Sequence, residues 1–212
     1  RVIPGGTVHV AAGTYTETLT INKPLTLSGT VDTNGTRLSK IVVTNTAAPS
    51  ILIKASKVTI DSFDYSAPGS NGIDISNDLP IPTTAYANIT ISNNYIHDIG
   101  GVVGGNIKAI KSAHGVDNLH ILDNIFDGIK QTVSNGKSSN AITIGASDST
   151  NLAEGLIISG NIFRNISSVQ SGAVAININN KAGAVGVVED NIFEVDTIAC
   201  GPTCFGSAIS IE

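Results

Sequence analysis

The chain has 212 residues, 41% of them hydrophobic and 14% charged, with a formal net charge of −5. That length can bury one sizeable core, and its twelve scattered Lys and Arg exclude a nucleic-acid surface. No stretch approaches the ~20 apolar residues that a spanning helix needs, so no membrane span is expected.

Aromatic residues reach only 4%, Trp and Met are absent, and 22 glycines sit among many Val, Ile, Thr, Asn and Ser. This mix favours β-strands joined by tight turns. The chain opens on Arg1 and reads as a processed or truncated product. Its first strands lie in GGTVHVAAGTYTETLTINKPLTLSG, Gly5 to Gly29. His9 there, like His120 later, has apolar neighbours and is expected to face outward.

From Val58 onward the sequence repeats. Short alternating strands are expected at Val58–Ile60, Ile89–Ile91, Leu119–Ile121, Leu156–Ile158 and Val185–Val187. The steps from Ile60 to Ile91, Ile121, Ile158 and Val188 are 31, 30, 37 and 30 residues. After each strand comes a polar-apolar element: NNYIHDI, DNIFDGI, SGNIFRNI and DNIFEV, beginning at Asn93, Asp123, Ser159 and Asp190. Further strands follow at Gly72–Ile75, Ile107–Ile110, Ala141–Ile144, Ala173–Ile176 and Ala208–Ile211. The long step is read as a loop insertion, QTVSNGKSSN, before Ala141, and SNDLPIPTTAYA from Ser76 to Ala87 is a second long loop.

No segment carries a helical period, and propeller blades need about 40 residues and four strands each. What fits is an all-β fold, a single-stranded parallel β-helix (a β-solenoid) of about seven turns, with equivalent strands about 4.8 Å apart. Two internal ladders are expected. One stacks Tyr65, Ile96, Phe126, Phe163 and Phe193; the other stacks Asn94, Asn124, Asn161 and Asn191 at a corner. Asn tolerates left-handed backbone there, and stacked amides can bond along the axis.

The GTYTETLTINKPLTLSG run and the later Asn-x-apolar turns resemble the entry and repeats of right-handed parallel β-helices of the pectin-lyase-like superfamily. The likeness covers almost the whole chain and is strongest to its carbohydrate-binding and sugar-hydrolase branch. The resemblance implies a right-handed coil; it does not select an activity, because this fold hosts lyases, hydrolases, esterases, epimerases, adhesins and inert stalks. Galacturonan hydrolases of the fold would show paired aspartates and a Gly-His-Gly. Here no Asp-Asp pair exists, and His114-Gly115 lacks its companions. The glutamines that pectin esterases use have no counterpart in the settings of Gln131 and Gln170.

The strongest chemical cluster is an outward column just after the apolar ladder: His97, Asp127, Arg164 and Glu194. His97 beside Asp127 is the candidate base and orienter, with Arg164 next to them; the competing reading is an exposed ion-pair ladder. Asp123 and Asp190 suit a turn as well as a calcium site, and no cofactor or metal is expected. Lys108 and Lys111, flanking Ile110, could meet an anionic polymer but read as solvated. Sugar rings would need aromatic platforms, for which Tyr86 and Tyr95 are the candidates. Cys200 and Cys204 suit a disulfide-closed loop more than a metal site. Asn34, Asn88 and Asn165 begin glycosylation acceptor patterns.

No cap precedes the first strand, and the chain stops on AISIE inside a strand. Residues 1–212 are therefore expected to be one domain of a longer chain, or a subunit that stacks without caps of its own. The functional expectation is a non-catalytic extracellular or cell-surface protein of a prokaryote. Its expected partners are its own copies, other surface proteins or a polysaccharide. The alternative is a polysaccharide-active enzyme or glycan-binding module.

Overall fold

The computed structural model describes residues 3–44, 49–69, 71–75, 86–101, 105–112, 115–133, 136–145, 154–179, 185–194, 198–200 and 205–211. Among them every paired strand runs parallel to its neighbours, in three sheets. Sheet A stacks Gly6–His9, Leu25–Ser28, Val58–Asp61, Ala87–Ser92, Asp117–Leu122, Glu154–Ser159 and Val185–Glu189. Sheet B stacks Gly13–Tyr15, Ser39–Val42, Asp64–Pro68, Tyr95–Gly101, Ile125–Gln131, Ile162–Arg164 and Ile192–Phe193, and Ile166–Ser168 and Ile198–Cys200 extend it. Sheet C stacks Leu19–Ile21, Ile51–Ile53, Ile73–Ile75, Ile107–Ser112, Ser139–Ile144, Ala173–Ile178 and Gly206–Ile211. The chain visits A, B and C in turn and then repeats, which makes it a parallel β-helix of seven turns. The expected strands all form; most are longer by one or two residues at an end, while Gly72–Ile75 begins one residue later, at Ile73.

The core is a set of columns, each built from one side chain per turn. In sheet C one column is aliphatic throughout: Leu19, Ile51, Ile73, Ile110, Ile142, Ile176 and Ile209. The inner column of sheet B runs through Ile41, Tyr65, Ile96, Phe126, Phe163 and Phe193. Its last three rings stack face on face, with centroids 4.9 and 5.1 Å apart. Strand spacing sets that separation, so the rings gain stacking contact at no cost in backbone geometry.

The corner between sheets A and B is made by one left-handed residue per turn: Ser62, Asn93, Asp123, Gly160 and Asp190, with φ of 65°, 54°, 53°, 69° and 54°. The ladder asparagines were expected to take this geometry, but it falls on the residue before each of them. That explains Asp123 and Asp190, since Asp and Asn accept left-handed backbone at low cost. It also leaves the ladder Asn free to point inward. Asn94, Asn124 and Asn161 are buried to within 1% of full burial.

Each ladder amide replaces hydrogen bonds that the corner cannot make through the sheets. Asn124 Oδ1 accepts from the backbone N–H of Asn94 (2.9 Å) and from Asn94 Nδ2 (3.0 Å). Asn124 Nδ2 donates to Ile91 C=O (2.8 Å) and to Asn161 Oδ1 (3.1 Å). The pattern recurs at Asn94, Asn161 and Asn191. At the N-terminal end of the ladder Phe63 stands in the asparagine position, and its N–H donates to Asn94 Oδ1 (2.9 Å). The amide ladder therefore starts one turn after Tyr65 and two turns after Ile41 of the apolar column beside it.

The insertion lies largely elsewhere than expected. The register steps from Ile110 in the fourth turn to Ile142 in the fifth in sheet C, close to the ordinary period, and from Ile121 in the fifth turn to Ile158 in the sixth in sheet A, where it is longer. Most of the extra residues therefore fall after Ile144, in a segment outside the described residues, and only a few precede Ala141. Most of the Ser76–Ala87 loop also lies outside them.

Replacing Asn124 by Ala strands the Asn94 donors and the Ile91 carbonyl in a dry interior. At about 1–3 kcal/mol for each buried group left unsatisfied, the expected loss is at least about 3 kcal/mol of unfolding free energy in a urea titration. Asn191, half-buried at the far end of the ladder, should cost clearly less when truncated in the same way. Equal losses at the two positions would overturn the ladder's role. Phe126→Ala should cost about 3–5 kcal/mol through lost burial and a cavity between stacked rings.

Candidate functional site

Alternation along sheet B turns two columns outward. The first runs Lys40, Asp64, Tyr95, Ile125, Ile162 and Ile192. The second runs Val42, Ser66, His97, Asp127 and Arg164, and Glu194 follows one turn on. The expected outward column is therefore formed, and His97 lies opposite Asp127 in register. Side chains of the two columns reach each other along diagonals.

Those diagonals change the chemistry expected of the strip. His97 was expected to pair with Asp127 as base and orienter. Instead its Nε2 lies 2.7 Å from Asp64 Oδ1 and its Nδ1 lies 2.9 Å from Asp98 Oδ2. Both ring nitrogens are engaged, so neither faces a substrate. Asp64 is also paired with Lys40 at 3.2 Å. Tyr95 stacks on the His97 ring, with centroids 4.4 Å apart and planes 16° from parallel.

Asp127 is committed in another direction. Its Oδ2 accepts from Tyr95 OH (3.1 Å) and Arg164 Nε (3.0 Å), and its Oδ1 accepts from Asn165 Nδ2 (2.6 Å). Burial by itself would raise the Asp127 carboxyl pKa; the Asn165, Arg164 and Tyr95 hydrogen bonds outweigh it and hold the group below the ordinary carboxylate value. The Tyr95 phenol moves up, through burial and then the Asp127 charge. The bond to Asp127 raises Arg164 further. Arg164 Nη1 also lies 4.0 Å from Glu194 Oε1. A carboxylate with both oxygens occupied and a depressed pKa is a weak proton acceptor. What the arrangement does well is hold neighbouring turns together.

A similar network closes the corner beside the strip. Asp61 accepts from Ser92, Asn93 and Ser62. Burial opposes its ionisation, but these three bonds and the Arg37 charge pull its pKa down. Arg37, carried by the 29–38 loop, donates through Nε to the Asn93 carbonyl two turns on.

The remaining candidates separate. Asn88 (φ 58°) shares a corner column with Lys57 and Asn118 (φ 58° and 51°), so its place in the repeat accounts for an asparagine there. Asn165 (φ 54°) occupies another left-handed position, and its acceptor nitrogen is bonded to Asp127. Asn34 stands exposed in a turn whose backbone N–H groups at Asn34 and Thr36 bond to Asp32. His9 is exposed and His120 half-buried on the outer face of sheet A, as expected. Tyr86 is half-buried, with part of its ring packed against the core. Gln131 donates through Nε2 to Gly105 C=O. Cys204 and His114 lie outside the described residues. Among the described residues no group of three His, Cys, Asp or Glu is placed to hold a metal ion.

Five members of the strip were missed in the sequence: Lys40, Asp64, Tyr95 as a partner of Asp127, Asp98 and Asn165. The signal was present. Aligning SFDYS at 62–66 with NNYIH at 93–97 sets Asp64 against Tyr95 and exposes the first column. Compared with family models, curated proteins and solved structures, the chain gives no match.

The depressed pKa of Asp127 fixes the sign of a pH effect. Its contribution is complete above the unfolded carboxylate value of about 3.9 and is lost as pH falls through the lower folded value. Asp127→Asn should therefore lower stability at pH 7 and flatten the decline of the urea midpoint below about pH 4. A wild-type decline retained in the variant would remove Asp127 from that role.

Proposed function

We propose that this chain is a non-catalytic β-solenoid of the pectin-lyase-like kind, working outside the cell as a structural or adhesive element of a surface layer, sheath, fibre or stalk. The observation that supports this most is the use made of the strip on sheet B. Lys40, Asp64 and His97 bond across successive turns, as do Asp127, Arg164 and Glu194, and Tyr95, stacked on His97 and bonded to Asp127, joins the two groups. Single exposed pairs of this sort add only about 0–1 kcal/mol each. Running in series along the axis beside an internal amide ladder, they brace a stack in which each turn otherwise touches only its neighbours. Self-association belongs to the same proposal.

A second reading has one observation in its favour. The stacked Tyr95–His97 pair has carboxylates at both ends, Asp64 on one side and Asp127 on the other. An aromatic surface flanked by acids is what a polysaccharide-active site would use.

One pair of measurements separates the two. Purified chain is imaged by electron microscopy and incubated with a broad panel of neutral and uronic-acid polysaccharides. The structural reading expects rods or filaments and no release of sugar ends or unsaturated products. Turnover that disappears in a folded Asp127→Ala variant would overturn it in favour of the second reading.

A further inference from the structure

The outer face of sheet C carries a pocket of about 300 Å³ that lies apart from the strip on sheet B. Its polar lining comes from Asn71, Asp74, Asn106, Lys108 and Lys111, with Pro49 as an apolar wall. Register builds it: Asp74 lies opposite Lys111 in the next turn, and their side chains pair at 3.2 Å. That pair cancels its own charge. Lys108 is left as the net charge of the site.

Lys108 was expected to be an ordinary solvated lysine. Instead burial lowers its pKa, the Lys111 charge lowers it further, and Asp74 opposes them from a distance. Asn71 Oδ1 accepts from the Lys108 backbone N–H (2.9 Å), and Asn106 Oδ1 accepts from the Ser138 N–H (3.0 Å). With both oxygens fixed, the two amide nitrogens remain as donors. On the other side of the balance, Asp74 Oδ1 is buried with no hydrogen-bond partner among the described residues. An orphaned buried acceptor costs free energy until a donor reaches it.

The pocket thus offers one desolvated ammonium, two separately rooted amide donors and one acceptor in need of a proton. A planar carboxylate is best read by the flat fork of an arginine. A point charge with donors arriving from different directions suits an oxyanion whose oxygens also point in different directions. The orphaned carboxylate oxygen calls for a neutral hydroxyl on the same molecule. We propose that this pocket binds a phosphate or sulfate monoester of a hydroxylated, sugar-like compound. Lys108 and the two amides take the tetrahedral oxyanion, and Asp74 Oδ1 accepts from a hydroxyl. The assignment is independent of the structural role proposed above.

The test is a calorimetric titration of the full chain with glucose 6-phosphate, glucose 6-sulfate, glucose and glucuronate. At least one ester should bind at least tenfold more tightly than glucose and glucuronate, and the better ester identifies the oxyanion. Lys108→Met should weaken that ester at least tenfold at an unchanged unfolding midpoint. Asp74→Leu should weaken the sugar ester relative to the matching inorganic anion, because it removes the oxygen that accepts from a sugar hydroxyl, which only the ester carries. Glucuronate binding as tightly as the esters would overturn the proposal, as would no ester binding below about 10 mM or full affinity in Lys108→Met. The selectivity measurement uses the wild-type chain alone, so it stands even if a variant fails to fold.

Discussion

A coil that turns sharply inward must bury backbone at the bend, and buried N–H and C=O groups must find partners. At the bend between sheets A and B the partner is the side chain of an asparagine. Its carboxamide is the one uncharged group short enough to fit and able to accept twice and donate twice. Asn94, Asn124, Asn161 and Asn191 each use that capacity on the turns before and after. Because the Asn-to-Asn bonds of the ladder join successive turns, the ladder fixes how turns align. One slipped residue would break it and would also reverse the faces of every strand.

The exterior follows from that alignment. Once Phe126 lies over Ile96, Asp127 lies over His97, whatever either side chain prefers. The charged residues then settle among the partners that register offers them, and the diagonals win: His97 with Asp64, Tyr95 with Asp127. On sheet C the same rule closes Asp74 with Lys111 and, among the described residues, leaves Lys108 without a mate of opposite sign. On one face the charges are engaged with one another; on the other, among the described residues, a lysine stands unpaired in a partly dry pocket. The difference comes from which residues happen to face each other at one spacing.

The period, the three-strand turn and both ladders were legible because they rest on residues that repeat, and repetition needs no coordinates to be seen. The amide ladder's starting point was not, since Phe63 breaks the pattern at the asparagine position. The left-handed corner residue was missed for a different reason. Ser62, Asn93, Asp123, Gly160 and Asp190 share a backbone angle but no side-chain type. The partners of His97 depended on diagonal reach between columns, which spacing along the chain does not encode. Desolvation of Lys108 depends on how the walls of a pocket close around it, and a sequence flanked by Ile107 and Ile110 reads the same whether that lysine is wet or dry.

The ladder also has a direction. Each carboxamide passes its Nδ2–H to the oxygen of the following turn, from Asn94 through Asn124 and Asn161 to Asn191, and never the reverse. Aligned dipoles of this kind polarise one another, so an interior link is stronger than an isolated one. The coil is therefore a vector, with an accepting Oδ1 at its Asn94 end and a donating Nδ2 at its Asn191 end. Its two ends are chemically unlike, and any continuation of the ladder, within a chain or between chains, can proceed in only one sense.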